Sequence, residues 1–250
     1  MVNVLKDRRK IGDFYLTKEV KVDEKSIRKT LMPELELIKD LELREKAVKA
    51  WAFACQMGGY EQLEDIPTEA FEWMPKVSNI QHQKDTARIA AALAKVLKEL
   101  GTELNEDYCI AGALCHDLGK PIEWRNNQSG IYAIRNGVGV FYGENPNMPS
   151  IGKITSHQIA RHSVWSLYVA MTVGMPEHIV HIVASHSKEG EHLLRSPEAW
   201  VVRFADEIWW HEVARRHMGE YPGAPMPDRL EAQSHRRRLD WRKGPTKRKL

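Results

Sequence analysis

Apolar residues recur every three or four positions through most of this 250-residue chain, whereas strict alternation of apolar and polar residues is scarce. The first pattern places apolar side chains on one face of an α-helix, and the second would place them on one face of a strand. The sequence therefore predicts an all-α helical bundle. We expect helices over about residues 33–56, 81–100, 105–116, 156–174, 176–185 and 196–218.

Capping residues mark several of these boundaries. Asn105, Ser156 and Ser196 each precede a predicted helix, and side-chain oxygens at such positions accept hydrogen bonds from free backbone N–H groups. Gly58-Gly59 and Gly101 each follow a predicted helix, and glycine adopts the left-handed backbone conformation that ends many helices. These residues support the helical interpretation independently of the apolar pattern.

Residues 121–155 interrupt the helical pattern. Two short apolar runs, 131–134 and 138–142, flank Asn136-Gly137, and Asn-Gly is a strong signal for a tight hairpin turn. We expect a small β-hairpin or irregular loop inserted between helices. Because long loops in compact domains are often functional, we expect this one to shape a substrate pocket.

The composition narrows the class of protein. Hydrophobic residues make up 42% and charged residues 28% of the chain, which is typical of a folded globular protein. No apolar run reaches the roughly 18 to 20 residues that span a bilayer, and residues 1–10 lack the apolar segment of a secretory signal. Three cysteines without a CxxC spacing argue against a disulfide framework. We therefore expect a cytoplasmic protein without membrane contact.

The positive charge of the chain is concentrated at its end. Residues 233–250 carry eight basic residues against one acid, a local charge of +7 that leaves −4 for the rest of a chain with a net charge of +3. Such a segment can bind nucleic acid weakly by releasing counterions. We favour the other interpretation, a solvated and flexible tail over residues 221–250, since disorder concentrates at termini.

The most informative segment is the end of the helix predicted at 105–116, where His116 and Asp117 precede a Gly-Lys turn. Imidazole nitrogens and carboxylate oxygens are common ligands of divalent transition metals, and one carboxylate can bridge two ions. Further along, Asp206 lies within an apolar helical stretch, where a carboxylate is costly to bury unless it is paired or binds a metal. These residues predict a metal site.

With three further histidines, these residues follow an order that resembles the HD superfamily of metal-dependent hydrolases, over about residues 78–212. The H…HD…H…H…D signature of the six-ligand, dinuclear members of that superfamily is matched by His82, His116, Asp117, His162, His186 and Asp206. The resemblance implies an all-helical HD domain that binds two divalent ions, which could be manganese, iron, zinc or cobalt. Asp117 would bridge the ions, with His82, His116 and Asp206 on one and His162 and His186 on the other.

The resemblance divides the chain into three parts. Residues 1–77 would form an N-terminal helical extension, residues 78–220 the HD domain with the inserted loop 121–155, and residues 221–250 the basic tail. The extension could dock on the helical core or form a homodimer contact, and the sequence leaves both open.

Two of the implied ligands have an alternative interpretation. His157 lies five residues before His162, but His162 is favoured because the resembled family carries this histidine just before an apolar run, here residues 164–167. His186 could instead be a helix-terminal histidine stabilised by the helix dipole. Its position at the end of an apolar helix favours metal binding.

The resemblance also implies an anionic substrate. A lysine three residues after the His-Asp pair, here Lys120, often contacts substrate in this family; an ordinary solvated lysine is the alternative. Arg125, Arg161 and Lys188 are further candidates for anion binding. We expect Asp117 and Lys120 to act in catalysis on a small anionic molecule.

Three hypotheses for function follow. Two metal ions can clamp a phosphoryl group and lower the pKa of a water between them, so the first is hydrolysis of a nucleotide or another small phosphomonoester or diester. The second is a mixed-valent diiron oxygenase that cleaves a C–C or C–P bond, since one branch of the superfamily uses the same six ligands. The third is a non-catalytic nucleic-acid-binding or scaffold module that uses the basic tail.

Overall fold

The computed structural model describes residues 20–66, 68, 78–127, 130–135, 138–142, 149–153 and 161–213. Helices dominate this part of the chain, as the sequence predicts. The α-helices are α1 (Glu24–Leu31), α2 (Leu41–Gly58), α3 (Asn79–Glu99), α4 (Glu106–Cys115), α5 (Lys120–Glu123), α6 (His162–Thr172), α7 (Glu177–Ser185) and α8 (Pro197–Ile208). Short 3₁₀ helices lie at Glu34–Leu37, Leu63–Asp65 and Lys188–His192, and a π-helical turn, Trp209–Val213, follows α8.

The segment between α5 and α6 contains an antiparallel sheet of four strands in sequential order. The strands are β1 (Trp124–Asn127), β2 (Gly130–Arg135), β3 (Val138–Tyr142) and β4 (Pro149–Lys153). Arg135 pairs with Val138, so β2 and β3 form the predicted hairpin; its turn residues, Asn136 and Gly137, lie outside the described residues. The sheet has two more strands than the sequence predicts.

The first predicted helix begins later than expected. A 3₁₀ helix occupies Glu34–Leu37, and α2 starts only at Leu41. Asp40 is the reason: its backbone is extended, and its side chain accepts a hydrogen bond of 3.1 Å from the N–H of Leu43. An N-cap of this kind fixes where a helix starts, so the predicted start at Pro33 is wrong.

Other predicted boundaries are confirmed. The side chain of Asn105 accepts a hydrogen bond from Tyr108 N–H at the start of α4, and that of Ser196 accepts one from Ala199 N–H at the start of α8. Gly101, with a φ of +92°, follows the last turn of α3. Ser156, the end of the last helix near Met218, the N-terminal residues 1–19 and the basic tail lie outside the described residues.

The hydrophobic core is formed where α3, α4 and α8 pack against one another, and α2 packs against α4 and α5. Trp51 of α2 and Leu114 of α4 are both fully buried in this core. The N-terminal helices therefore share a core with the later ones, while the proposed domain boundary at residue 77 stays a prediction. Within the described part of the chain, no helix is long and apolar enough to cross a membrane.

Candidate metal centre

The His-Asp pair lies in a tight turn held against the start of α6. Ser166 donates a hydrogen bond of 2.9 Å to the carbonyl of His116 and accepts one of 2.8 Å from the N–H of Gly119. A Cβ on Gly119 would lie 1.9 Å from the carbonyl oxygen of His162, so only glycine allows this close approach. The turn and α6 therefore position their histidines together.

Side chains from three helices form a first group around one side of Asp117. Nε2 of His82, on α3, lies 3.1 Å from Nε2 of His116 and 3.2 Å from Oδ1 of Asp206, on α8. Oδ2 of Asp117 lies 3.6 Å from Nε2 of His116 and 3.7 Å from Nε2 of His82. Two nitrogens and two carboxylate oxygens thus converge on one point.

A second group lies on the other side of the same carboxylate. Oδ1 of Asp117 is 3.3 Å from Nε2 of His162, at the start of α6, and 3.5 Å from Nε2 of His186, just beyond α7. The two oxygens of Asp117 therefore face two different pairs of histidines. This is the arrangement that a carboxylate bridging two ions requires.

The outer ring nitrogens of three histidines contact groups that can only accept a hydrogen bond. Nδ1 of His116 lies 2.7 Å from Ala113 O, and Nδ1 of His186 lies 2.8 Å from Val183 O. Nδ1 of His162 lies 3.0 Å from Oε2 of Glu123. Nδ1 is therefore the donor in each of these contacts, and Nε2 is the nitrogen that faces Asp117.

The electrostatics of the site favour cation binding. Burial lowers the pKa of His116 to about 4, against the opposing charges of Asp117 and Asp206, so its ring is neutral at pH 7. Burial by itself raises the pKa of both aspartates, but the surrounding imidazoles, and for Asp117 also Lys120, outweigh it and hold both pKa values below their usual range. The site therefore combines two ionised carboxylates with a neutral His116 ring.

Unsatisfied oxygen atoms give the strongest sign that this cluster could bind a cation. Oδ1 of Asp117 and Oδ1 of Asp206 are buried and accept no well-oriented hydrogen bond from the described residues. A buried carboxylate oxygen in this state is costly. The donor set of imidazole nitrogens and carboxylate oxygens fits manganese, iron, zinc or cobalt, and we therefore regard the cluster as a candidate metal centre.

Comparison with known proteins agrees with this geometry. The family model of the HD domain matches residues 79–208, which hold all six side chains of the cluster. This chain belongs to the HD-domain family. A dihydroneopterin 2',3'-cyclic phosphate phosphodiesterase from Methanocaldococcus jannaschii is 31% identical over 183 residues, covering 69% of this chain and 64% of that protein. The chain thus matches less than two thirds of its relative's length. No solved structure gave a significant match.

The predicted anion-binding residues of this HD domain differ in burial and in their ion pairs. Lys120 is buried, with Nζ 3.8 Å from Oε2 of Glu123, so it is not an ordinary solvated lysine. Nε of Arg161 lies 3.1 Å from Oε1 of Glu189, whereas Lys188 is exposed on a 3₁₀ helix. Arg125 pairs with Tyr132 in the sheet, but its side chain lies outside the described part of the molecule, as does His157.

Sequence reasoning missed several residues around the HD site. Asn79 donates a hydrogen bond of 3.3 Å to Oδ2 of Asp117, and Oγ1 of Thr86 lies 3.4 Å from Nδ1 of His82. Trp209 packs against His82 with 4.2 Å between ring centroids. Helical spacing could have suggested all three, since Asn79 and Thr86 lie three residues before and four residues after His82, and Trp209 lies three residues after Asp206.

Glu123 is the most consequential of the missed residues. It is the last residue of α5 and is buried, with its carboxylate against His162, Lys120 and Arg161. Burial alone raises its pKa, but the Lys120 ammonium and the His162 ring lower it below its usual value. A clue was available in the sequence, since an acid three residues after Lys120 lies on the same face of a helix.

Proposed function

We propose that this HD-domain protein is a metal-dependent hydrolase that cleaves a small cyclic phosphodiester to a phosphomonoester. The observation that carries the proposal is that the two carboxylate oxygens of Asp117 face different histidines. Oδ1 faces His162 and His186, while Oδ2 faces His82 and His116. A site of this shape suits two divalent ions. When bound, such ions neutralise phosphoryl charge and lower the pKa of water enough to supply a nucleophile near neutral pH.

The protein's own residues would hold and orient the reacting groups. His82, His116, Asp117 and Asp206 would bind one ion, and Asp117, His162 and His186 the other. The hydrogen bonds at Nδ1 of His116, His162 and His186 keep each ring oriented with its Nε2 toward the centre. Lys120, buried beside Glu123, would hold a non-bridging oxygen of the phosphate.

The substrate class follows from the relative rather than from the site alone. Its name states hydrolysis of a 2',3'-cyclic phosphate, which is a phosphodiester closed on two neighbouring hydroxyl groups. The cationic side chains of Lys120 and Arg161 lie close to the second group of ligands, beside Glu123, which supports an anionic substrate. We therefore propose a small molecule that carries a cyclic phosphate on neighbouring hydroxyls.

The test is an assay of the metal-loaded protein on dihydroneopterin 2',3'-cyclic phosphate and on 2',3'-cyclic AMP, with phosphorus-31 NMR to follow the opening of the ring. We expect a phosphomonoester product, loss of activity with a chelator and its return with manganese, zinc, cobalt or ferrous iron. Asp117→Asn, loaded in the same way, is the matched inactive control.

Two outcomes would contradict the proposal. Absence of hydrolysis of both cyclic esters and of the linear diester bis(p-nitrophenyl) phosphate with all four metals would exclude phosphodiester hydrolysis. Two tightly bound irons per chain with a mixed-valent paramagnetic signal and consumption of dioxygen would instead support the diiron oxygenase.

A further inference from the structure

The four histidines of the site differ in what holds their outer nitrogens. His116 and His186 contact backbone carbonyls of their own helices, Ala113 O and Val183 O. His162 instead contacts a side-chain carboxylate, Oε2 of Glu123, at 3.0 Å. One position of the proposed two-ion centre therefore depends on a charged residue that is not itself beside the converging Nε2 and Oδ atoms.

The position of Glu123 is fixed by a backbone hydrogen bond and by two cationic side chains. Its N–H donates a hydrogen bond of 2.9 Å to Gly119 O, which fixes the residue at the end of α5. The residue is only 8% exposed. Nζ of Lys120 lies 3.8 Å from Oε2, and Nε of Arg161 lies 3.7 Å from Oε1. Two cations thus compensate a buried carboxylate that would otherwise be costly.

We propose that Glu123 is a positioning residue that sets the affinity of the metal position formed by Asp117 Oδ1, His162 and His186. The inference rests on the proposed two-metal function and deepens it. A carboxylate that accepts the Nδ1–H of an imidazole fixes the orientation of the ring and makes its Nε2 a stronger ligand. Loss of such an outer partner typically weakens metal binding by about 10–100-fold.

Replacement of Glu123 should weaken metal binding at only one of the two proposed metal positions. Among the described contacts, Glu123 reaches His162, Lys120 and Arg161, while the first group of ligands is held by other residues, including Thr86 beside His82. Removing the charge of Glu123 should therefore weaken the second ion and leave the first in place.

The experiment compares Glu123→Gln and Glu123→Ala with the wild-type protein, using manganese as the probe. Binding is measured by isothermal titration calorimetry, and metal content after gel filtration by elemental analysis. Glu189→Gln is the matched control, since Glu189 also pairs with Arg161, at 3.1 Å, but has no hydrogen bond to a histidine of the site. We expect two ions in the wild type and in Glu189→Gln, and one tight ion with the second weakened about 10–100-fold in both Glu123 variants.

Activity adds a readout that a merely structural role would not give. In Glu123→Gln, hydrolysis should return at raised manganese, with the half-maximal concentration shifted by the same factor as the weakened ion. Circular dichroism checks that each variant is folded, and Glu123→Gln preserves the shape of the side chain if Glu123→Ala does not fold.

Two ions of unchanged affinity in both variants, or loss of both ions from a folded variant, would overturn the role of Glu123. A wild-type protein that binds a single ion would overturn both this inference and the two-metal proposal. Wild-type protein that binds two ions but cleaves no phosphodiester would overturn the proposed function alone, and the affinities of the variants would still decide the role of Glu123.

Discussion

Trp51 donates a hydrogen bond from Nε1 to the carbonyl oxygen of Leu114, 3.0 Å away. Leu114 lies in the last turn of α4, where carbonyl groups have no partner within the helix. Both residues are fully buried, so water cannot replace the indole. Helix α2 therefore supports the end of α4 from which the His-Asp pair projects, although it lies before the region that matches the HD-domain model.

Replacement of Trp51 by phenylalanine should lower the stability of the protein. The variant loses the indole N–H and leaves the buried carbonyl of Leu114 unsatisfied, which costs about 1–3 kcal/mol. Urea unfolding followed by circular dichroism measures the free energy of unfolding. Trp200→Phe is the matched control, because Trp200 is 43% exposed and surface substitutions usually change stability by less than about 0.5 kcal/mol. Equal losses in the two variants would contradict a specific role for the Trp51 hydrogen bond.

The two aspartates of the site should differ in how many metal ions they bind. Asp117 faces both groups of histidines, whereas Asp206 contacts only His82 and His116 among the described ligand histidines. Asp117→Asn should therefore weaken both manganese ions by more than about 100-fold, since loss of a direct ligand exceeds loss of an outer partner. Asp206→Asn should weaken one. Elemental analysis of the purified variants gives the count, and a protein that keeps both ions without Asp117 would exclude the bridging role.

The sequence predicts the helical body well because its signals are local. The apolar spacing and the caps at Asn105 and Ser196 act within a few residues, and the structure confirms both caps. The sequence does not predict the late start of α2, because the apolar pattern begins near Pro33, before Asp40, the residue that caps the helix. The extra strands β1 and β4 depend on pairing with the predicted hairpin, and such pairing is not encoded locally.

The candidate site shows the same difference between what local sequence signals predict and what tertiary packing decides. The six residues implied by the family resemblance lie together in the structure, and their binding of metal stays a prediction. Helical spacing places Glu123 near Lys120 and Asn79 near His82, but only the packing of α5 and α3 brings these two side chains to His162 and Asp117. A linear pattern identifies atoms of the right chemistry, whereas their outer partners follow from the tertiary structure.

Gly119 should be irreplaceable without damage to the site. In Gly119→Ala the new Cβ would lie 1.9 Å from His162 O and 2.8 Å from Ser166 N, both backbone atoms, so α6 must move. We expect a loss of about 1–3 kcal/mol in unfolding free energy, together with weaker binding of the ion that uses His162. Thermal unfolding and manganese titration measure the two effects.

Gly101→Ala is the control that distinguishes the effect of backbone strain from the effect of a steric clash at the site. Gly101 has a φ of +92° with nothing within 4 Å of an added Cβ, so alanine there is strained by about 1 kcal/mol but clashes with nothing. Manganese binding should therefore be unchanged in Gly101→Ala and weakened in Gly119→Ala. Unchanged manganese binding in both would show that the close approach of Gly119 to α6 does not position His162.

The cysteines should be unreactive in the folded protein. Cys55, Cys109 and Cys115 are all buried, and burial raises the pKa of Cys109 and of Cys115 to about 12. Because the thiolate is the reactive form, a raised pKa keeps these groups protonated, and raising the pH from 7 to 9 should not expose them to alkylation, unlike a free cysteine with a pKa near 8.5. Mass spectrometry after iodoacetamide treatment at pH 8 should show no label on the native protein and three on the urea-unfolded one. Rapid labelling of the native protein at Cys115 would show that the core beside the His-Asp pair opens readily.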